Sequence, residues 1–369
     1  MTEAEPLQQV RRTYIRYRGQ TLSYFGGCDY FRLATHPKIS KAVNEGLRRY
    51  GLNVAASRMT TGNHEVYQQL ETELARFFKT DAALLTNSGY VTSLIAAQAL
   101  TGQFSHALID ERAHGALQDA ADALNCPALK FKHRDTADFA QAVQRCGKSA
   151  KLIALSDGMF SHDGSVAPLK AYLKLLPRDA MLLVDDAHGA GTLGKNGRGS
   201  VELEGTPRQR VIQCVTLSKA FGVYGGAILC SRQLRAKLTR SRAFVGSTPV
   251  PLPLAFAVIE SLQILRNDKS FRQRLDTNAT FVKTSLRQAG LQAPITPGAI
   301  IPLHLKSVAN MTRLKRALLA AKILPPLIHY PGAPANGYFR FVISSEHARS
   351  QLANLVRTLK PFAARASSL

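Results

Sequence analysis

Val211-Ile212-Gln213-Cys214-Val215-Thr216-Leu217-Ser218-Lys219-Ala220-Phe221-Gly222-Val223-Tyr224-Gly225-Gly226 reads as a short buried strand that ends on Ser-Lys and gives way to a glycine-punctuated turn. A second apolar run, Ala227 to Cys230, follows. A lysine at the end of a buried strand carries a desolvation cost unless it is neutralised or used covalently, because burial favours the uncharged amine. Schiff-base formation is one chemistry that wants such an amine. A lysine that runs its alkyl stem along the strand end to reach water is the plain alternative.

Two further stretches bear on that choice. Met181-Leu182-Leu183-Val184-Asp185-Asp186-Ala187-His188-Gly189 is another buried-strand pattern, running into Asp-Asp-x-His. Thr86-Asn87-Ser88-Gly89-Tyr90 lies between a short strand, Ala82–Leu85, and a helical run, Val91–Leu100. Pyridoxal phosphate needs a Schiff-base lysine, an acidic partner for its pyridinium nitrogen, and a cradle of backbone N–H groups where a loop opens a helix. These stretches supply one of each. From composition alone, either Asp185 or Asp186 could be the acidic partner.

Apolar strand candidates recur at Ala82–Leu85, His106–Ile109, Lys151–Ser156, Met181–Asp185, Val211–Leu217 and Ala227–Cys230, with helical or glycine-rich segments between most of them. That alternation predicts an α/β fold with a mainly parallel sheet covered by helices. Ligands in such sheets sit beyond the carboxyl ends of the strands. Asp185, His188 and Lys219 all fall near such ends.

The order Asn-Ser-Gly-Tyr (87–90), Asp-Glu-Arg-Ala-His (110–114), Phe-Ser-His-Asp-Gly (160–164), Val-Asp-Asp-Ala-His-Gly (184–189) and Thr-Leu-Ser-Lys-Ala-Phe-Gly (216–222) resembles the α-oxoamine synthases. These are fold-type I pyridoxal-phosphate enzymes, and the likeness runs from about Asp29 to His347. The resemblance implies that Lys219 holds the cofactor and later moves the proton at the substrate's α-carbon. It selects Asp185, three residues before His188, as partner of the pyridine nitrogen. It implies His188 near the cofactor's phenolic oxygen, His114 stacked on the ring, and backbone contacts from Ser88, Gly89 and Tyr90. Ser161 and Thr216 match polar contacts. Ser247 and Thr248 resemble a segment that reaches a cofactor phosphate across a dimer interface. Arg340, in Gly337-Tyr338-Phe339-Arg340-Phe341-Val342-Ile343, matches the arginine that grips the amino acid's carboxylate, for which a planar guanidinium is suited. Asn336 stands where a threonine often meets the acyl substrate. Cys28, Tyr67, His162 and the loop Asn53–Arg58 also depart from the family pattern.

The chain has 369 residues, 45% hydrophobic and 20% charged, which suits a globular protein large enough for two domains. The expected division is an arm over 1–34, a cofactor-binding domain over 35–248 and a smaller C-terminal α+β domain over 249–369. Pro249-Val250-Pro251-Leu252-Pro253 is the clearest punctuation. Pro37–Tyr50 reads as a helix, and Asn63 is the expected cap of the next one. No apolar stretch reaches membrane-spanning length and no signal peptide is evident, which predicts a cytoplasmic protein. Five scattered cysteines form no metal pattern, so no metal site is expected. The formal charge of +23 favours anionic partners, yet no nucleic-acid module is recognisable. The densest basic patch, Arg232 to Arg242, reads as a solvated helix face.

The resemblance therefore implies a homodimeric, pyridoxal-phosphate-dependent acyltransferase. It would condense a small amino acid, alanine by default or else glycine or serine, with an acyl thioester, by default pimeloyl-coenzyme A, and release carbon dioxide. Two other readings stand beside it. One is a different reaction of the same cofactor, such as aldol cleavage, racemisation or transamination. The other is a basic binder of nucleic acid or anionic surfaces on a retired enzyme scaffold.

Overall fold

The structure is a computed structural model that describes residues 5–329 and 334–367. They fall into two compact units. The larger comprises His36–Phe160 and Val166–Lys269; the smaller comprises Met1–Thr35, Ser161–Ser165 and Ser270–Leu369. The helix Leu252–Asn267, which follows the proline-rich punctuation, packs within the larger unit.

The N-terminal residues form an antiparallel sheet of β1 (Gln9–Arg11), β2 (Tyr14–Tyr17) and β3 (Gln20–Ser23). This was not legible as strands, because each is only three or four residues long. Its β2–β3 hairpin turns on Arg18 (φ 47°) and Gly19 (φ 74°), the two successive positive φ values that match the twist of paired strands. Ile15 and Leu22 pair across it and are both buried.

The larger unit is built on a seven-stranded sheet. Its strands are β4 (Ala82–Thr86), β5 (His106–Asp110), β6 (Ala128–Phe131), β7 (Leu152–Asp157), β8 (Met181–Asp185), β9 (Val211–Thr216) and β10 (Gly226–Cys230). The spatial order is β4-β10-β9-β8-β7-β5-β6. Neighbours from β9 to β6 are parallel, and β10 runs antiparallel to both β4 and β9. Period-two alternation sends successive side chains to opposite faces. Ile153 and Leu155 of β7 join one core with Leu183, Ile212 and Ile228; Leu152 and Ala154 join the other with Leu182, Val184 and Tyr172. Burial on both faces is why these strands read as continuous apolar runs. Strand β6 escaped that reading, since of its residues only Phe131 is fully buried.

The helix Pro37–Tyr50 begins with proline at its first turn and stops at Gly51 (φ 71°), as expected. The next helix, Glu65–Phe78, is capped by His64 and not by Asn63. The His64 Nδ1 accepts the Val66 N–H, while the Asn63 carboxamide oxygen accepts from Arg58 Nε.

The smaller unit carries an antiparallel sheet of β11 (Ile300–Leu305), β12 (Leu327–Ile328), β13 (Tyr338–Val342) and β14 (Ala366–Ser367), in the order β12-β13-β11-β14. Backbone hydrogen bonds tie the N-terminal segment to it: Ser23 N–H to Lys322 O, Val342 N–H to Phe25 O, and Ser345 N–H to Tyr30 O.

Candidate active site

Lys219 stands one tight turn beyond β9. Leu217 N–H donates to Gly225 O, Val223 N–H to Leu217 O, and Gly222 N–H to Lys219 O. Gly222 (φ 66°) and Gly225 (φ 105°) supply backbone angles that side-chain-bearing residues rarely adopt. The Lys219 Nζ lies 2.9 Å from the His188 Nε2. His188 sits in the turn after β8, where Ala190 N–H donates to Asp186 O and the Thr192 hydroxyl donates to His188 O.

The two aspartates of that turn have different environments. Asp186 is fully buried; its Oδ2 accepts from Ser200 N–H at 2.9 Å and from Gln213 Nε2 at 2.6 Å. Gly158, Gly189 and Gly199 press so close that a Cβ on any of them would strike its carboxylate. Burial raises its pKa to about 7. Asp186 therefore staples the turn to β9 and is closed to a ligand. Asp185 keeps 7% exposure, with Oδ1 accepting the Ala187 N–H.

Asp157 pairs in register with Asp185 at the end of the adjacent parallel strand. Desolvation, followed by the nearby Asp185 charge, pushes its carboxyl well above the usual carboxylate range. Its Oδ2 accepts the His114 N–H at 2.9 Å. His114 in turn caps the helix Gly115–Ala123 through Nδ1, with its ring exposed and edge-on to Tyr90.

Ser88 and Gly89 lead into the helix Tyr90–Leu100, whose N-terminus no side chain caps. A helix start left this way presents orphan N–H groups to an anion. A Cβ on Gly89 would lie 2.6 Å from Thr216 Cβ, and one on Gly226 2.5 Å from Ser88 O, so only glycine fits at either place. Among the described residues, the Asn87 Oδ1 is buried without a partner. An uncapped helix start with an orphaned buried oxygen beside it, at the carboxyl ends of strands carrying a lysine and a carboxylate, fits a phosphorylated pyridine cofactor. Thr216 is buried, its hydroxyl paired with Ser218 Oγ at 2.8 Å. Tyr90 points its hydroxyl away to Asp119, so its side chain is committed to the surface.

Ser247 and Thr248 line a small open depression together with Thr86, Asn87 and Arg58, next to that helix start. Behind it is a buried network that sequence reading missed. Glu71 accepts from Arg58, from Arg235 at 2.6 Å, and from Leu85 N–H at 2.9 Å. Glu71 lies among the apolar positions Val66, Leu70 and Leu74 of its helix, and only its charge could have marked it. Arg235 also donates to Ala83 O, so it turns inward from the Arg232–Arg242 patch, whose Arg232, Lys237, Arg240 and Arg242 are exposed as a solvated face would be. Tyr67 is buried with Arg58 over its ring and its hydroxyl donating to Val250 O.

In the smaller unit, Arg340 of β13 donates to the Ser161 carbonyl at 3.1 Å. Asn336 is engaged elsewhere in that unit, with His304 Nε2 and Leu305 O. Among the described residues, no His, Cys, Asp and Glu cluster could hold a metal ion, and no helix is long and apolar enough to cross a membrane.

The model of the aminotransferase class I and II family matches residues 26–359. A curated 8-amino-7-oxononanoate synthase from Thioalkalivibrio sulfidiphilus is 34% identical over 92% of this chain and 88% of its own length. A serine palmitoyltransferase structure from S. paucimobilis, solved with pyridoxal phosphate bound as its myriocin adduct, superposes with a TM-score of 0.90. It is 25% identical and covers 96% of this chain and 92% of its own. An 8-amino-7-oxononanoate synthase structure from Francisella tularensis gives a TM-score of 0.80 at 25% identity, over 92% of this chain and 97% of its own. With Lys219 2.9 Å from His188 and Asp185 at the end of the neighbouring strand, the chain belongs to the aminotransferase class I and II family, in its α-oxoamine synthase branch, and uses pyridoxal phosphate.

Proposed function

We propose that this protein condenses L-alanine with a pimeloyl thioester, with loss of carbon dioxide, as an 8-amino-7-oxononanoate synthase. The single observation that carries the reading is the 2.9 Å approach of Lys219 Nζ to His188 Nε2, in the same strand-end cluster as Asp185. A lysine and an imidazole in hydrogen-bond reach can hand a proton between them.

When bound, pyridoxal phosphate withdraws electrons from the substrate's α-carbon. Asp185 would hold a proton on the pyridine nitrogen, and His114 would pack on the ring. The first turn after Ser88-Gly89 would hold the phosphate, and Thr216 and Ser161 would supply polar contacts. Arg340 orients the amino acid by its carboxylate. Lys219 takes the α-proton and later returns one, and His188 donates to the oxygen that gains charge as the thioester is attacked. The reading carries with it a cytoplasmic homodimer in which Ser247 and Thr248 reach the partner's cofactor. The mobile choice is the acyl carrier: coenzyme A is favoured because it needs no additional docking surface.

The test supplies L-alanine with pimeloyl-coenzyme A and measures carbon dioxide and free thiol. Both should appear in equal amounts, only when both substrates are present, and should vanish in Lys219→Ala. Borohydride reduction and peptide mapping should place the cofactor on Lys219. Carbon dioxide without a thioester requirement, or a keto acid from alanine alone, would refute the condensation.

A further inference from the structure

The smaller unit buries a lysine that the reaction above does not use. Lys283, on the helix Ser270–Gln288, is 5% exposed. Its ammonium has three protons and finds three acceptors: Thr296 O at 2.7 Å, Thr296 Oγ1 at 3.2 Å and Gly298 O at 2.5 Å. A surface helix has no need of such a group, since burying a charge is costly unless each donor is matched.

What the lysine holds is informative. The Thr296 hydroxyl donates onward to Asp163 O, and Gly298 N–H donates to Gly164 O at 3.1 Å. A Cβ on Gly164 (φ +73°) would lie 2.9 Å from Gly298 Cα, so the two backbones are in direct contact. The segment thus clamped, Ser161–Ser165, presents the Ser161 carbonyl that accepts from Arg340. One continuous series of contacts runs from Lys283 through Thr296 and Gly298, across Asp163 and Gly164, to Ser161 and Arg340.

We propose that Lys283 is a positioning residue for amino-acid recognition, clamping the Ser161–Ser165 segment so that the Ser161 carbonyl aims the Arg340 guanidinium. This rests on the reading of Arg340 as the carboxylate grip. The clamp also has a pH range. Burial lowers the Lys283 pKa to about 8, opposed by Asp163 and Asp276 and reinforced by Arg287. Below that pH the ammonium satisfies three acceptors. Above it, the amine keeps two donors and one acceptor is released.

The experiment uses cofactor-loaded enzyme and titrates L-alanine, reading the change in cofactor absorbance, with cofactor content and thermal midpoint measured in parallel. Lys283→Met should weaken alanine binding by about 10- to 100-fold, the scale of misplacing a binding group by roughly an ångström. Cofactor content should be unchanged. In the unaltered enzyme alanine binding should weaken as pH rises through about 8, and that limb should be absent from Lys283→Met. Thr296→Val removes the hydroxyl that links Lys283 to Asp163 O while leaving the lysine its two carbonyl acceptors, and should weaken alanine binding in the same direction even where Lys283→Met fails to fold. Arg340→Lys separates the two readings. If it leaves alanine binding unchanged, the grip reading falls and the clamp with it. If it weakens binding while Lys283→Met and Thr296→Val lower only the thermal midpoint, the clamp alone is overturned.

Discussion

Asp157→Asn separates the charge of that carboxyl from its shape. Asp157 is buried beside Asp185 and accepts one backbone N–H, from His114. Burial and the Asp185 charge favour its neutral form in the native protein, and a carboxamide reproduces that form's acceptor and its lack of charge. Asp157→Ala removes the acceptor and strands the His114 N–H. An unsatisfied buried donor costs about 1–3 kcal/mol. In a chain this large that lowers the thermal midpoint by about 2–6 °C, at roughly 2 °C per kcal/mol. The asparagine variant should stay within about 0.5 kcal/mol of the parent near pH 4, before that group begins to cost the parent stability. The sign of the pH effect follows. The unfolded chain ionises Asp157 near its ordinary value of 3.8 while the native protein keeps the proton to higher pH. Native stability from this group is therefore greatest at low pH and falls as pH rises above that value. Asp157→Asn abolishes that fall, so its midpoint should gain on the parent's between pH 4 and 7. Thermal unfolding of cofactor-loaded protein across that range is the assay. If the asparagine variant were as unstable as the alanine variant, Asp157 would have to be ionised in the native state, and the neutral-carboxyl argument would fail.

Glu71→Ala should destabilise the protein by about 3–5 kcal/mol, because it leaves the buried Arg58 without its counter-charge. Glu71→Gln, which can still accept from Leu85 N–H, should cost less in urea unfolding. His347 is held neutral by its surroundings: Nδ1 accepts the Ser344 N–H, Nε2–H donates to Tyr24 O, and burial lowers its pKa to about 3. As pH falls from 6.5 toward 3 the unfolded chain gains a proton that the native one refuses. Stability should fall by up to about 5 kcal/mol across that window, and His347→Gln should flatten the slope.

The larger unit was legible because its strands are buried on both faces and announce themselves as apolar runs; Met181–Asp185 was read to the residue. Orientation was less accessible. Ala227–Cys230 carries no mark that it runs antiparallel to its neighbours, since burial on both faces looks alike in either direction. The N-terminal sheet hid because its strands stay within three or four residues and pair only locally. In the site, Lys219 and the pair Asp185-Asp186 could be read because they interrupt apolar runs with charge, and only the resemblance chose between the two aspartates. Asp157 does so too, in Leu152-Ile153-Ala154-Leu155-Ser156-Asp157, but nothing in the one-dimensional pattern shows that its strand lies beside that of Asp185. Glu71, Arg58 and Arg235 are far apart in sequence and meet only in the folded protein. Lys283 was invisible for the same reason, being one lysine in a polar helix until the strip Thr296–Gly298 closes over it.

The composition of the smaller unit has a consequence for how the protein is made. Its first segment ends near Thr35 and its last begins at Ser270, with the entire larger unit encoded between them. Besides Arg32, the Tyr24 carbonyl takes a hydrogen bond from His347, 323 positions later. At roughly 5–20 residues per second on a ribosome, that partner emerges about 15–65 s after Tyr24 does. Through that interval Ile15, Leu22, Phe25, Tyr30, Phe31 and Leu33, all buried in the finished protein, have no completed unit to enter. The emerging N-terminus is thus a client for whatever shields apolar segments during synthesis, and a stop codon anywhere before β13 strands it permanently.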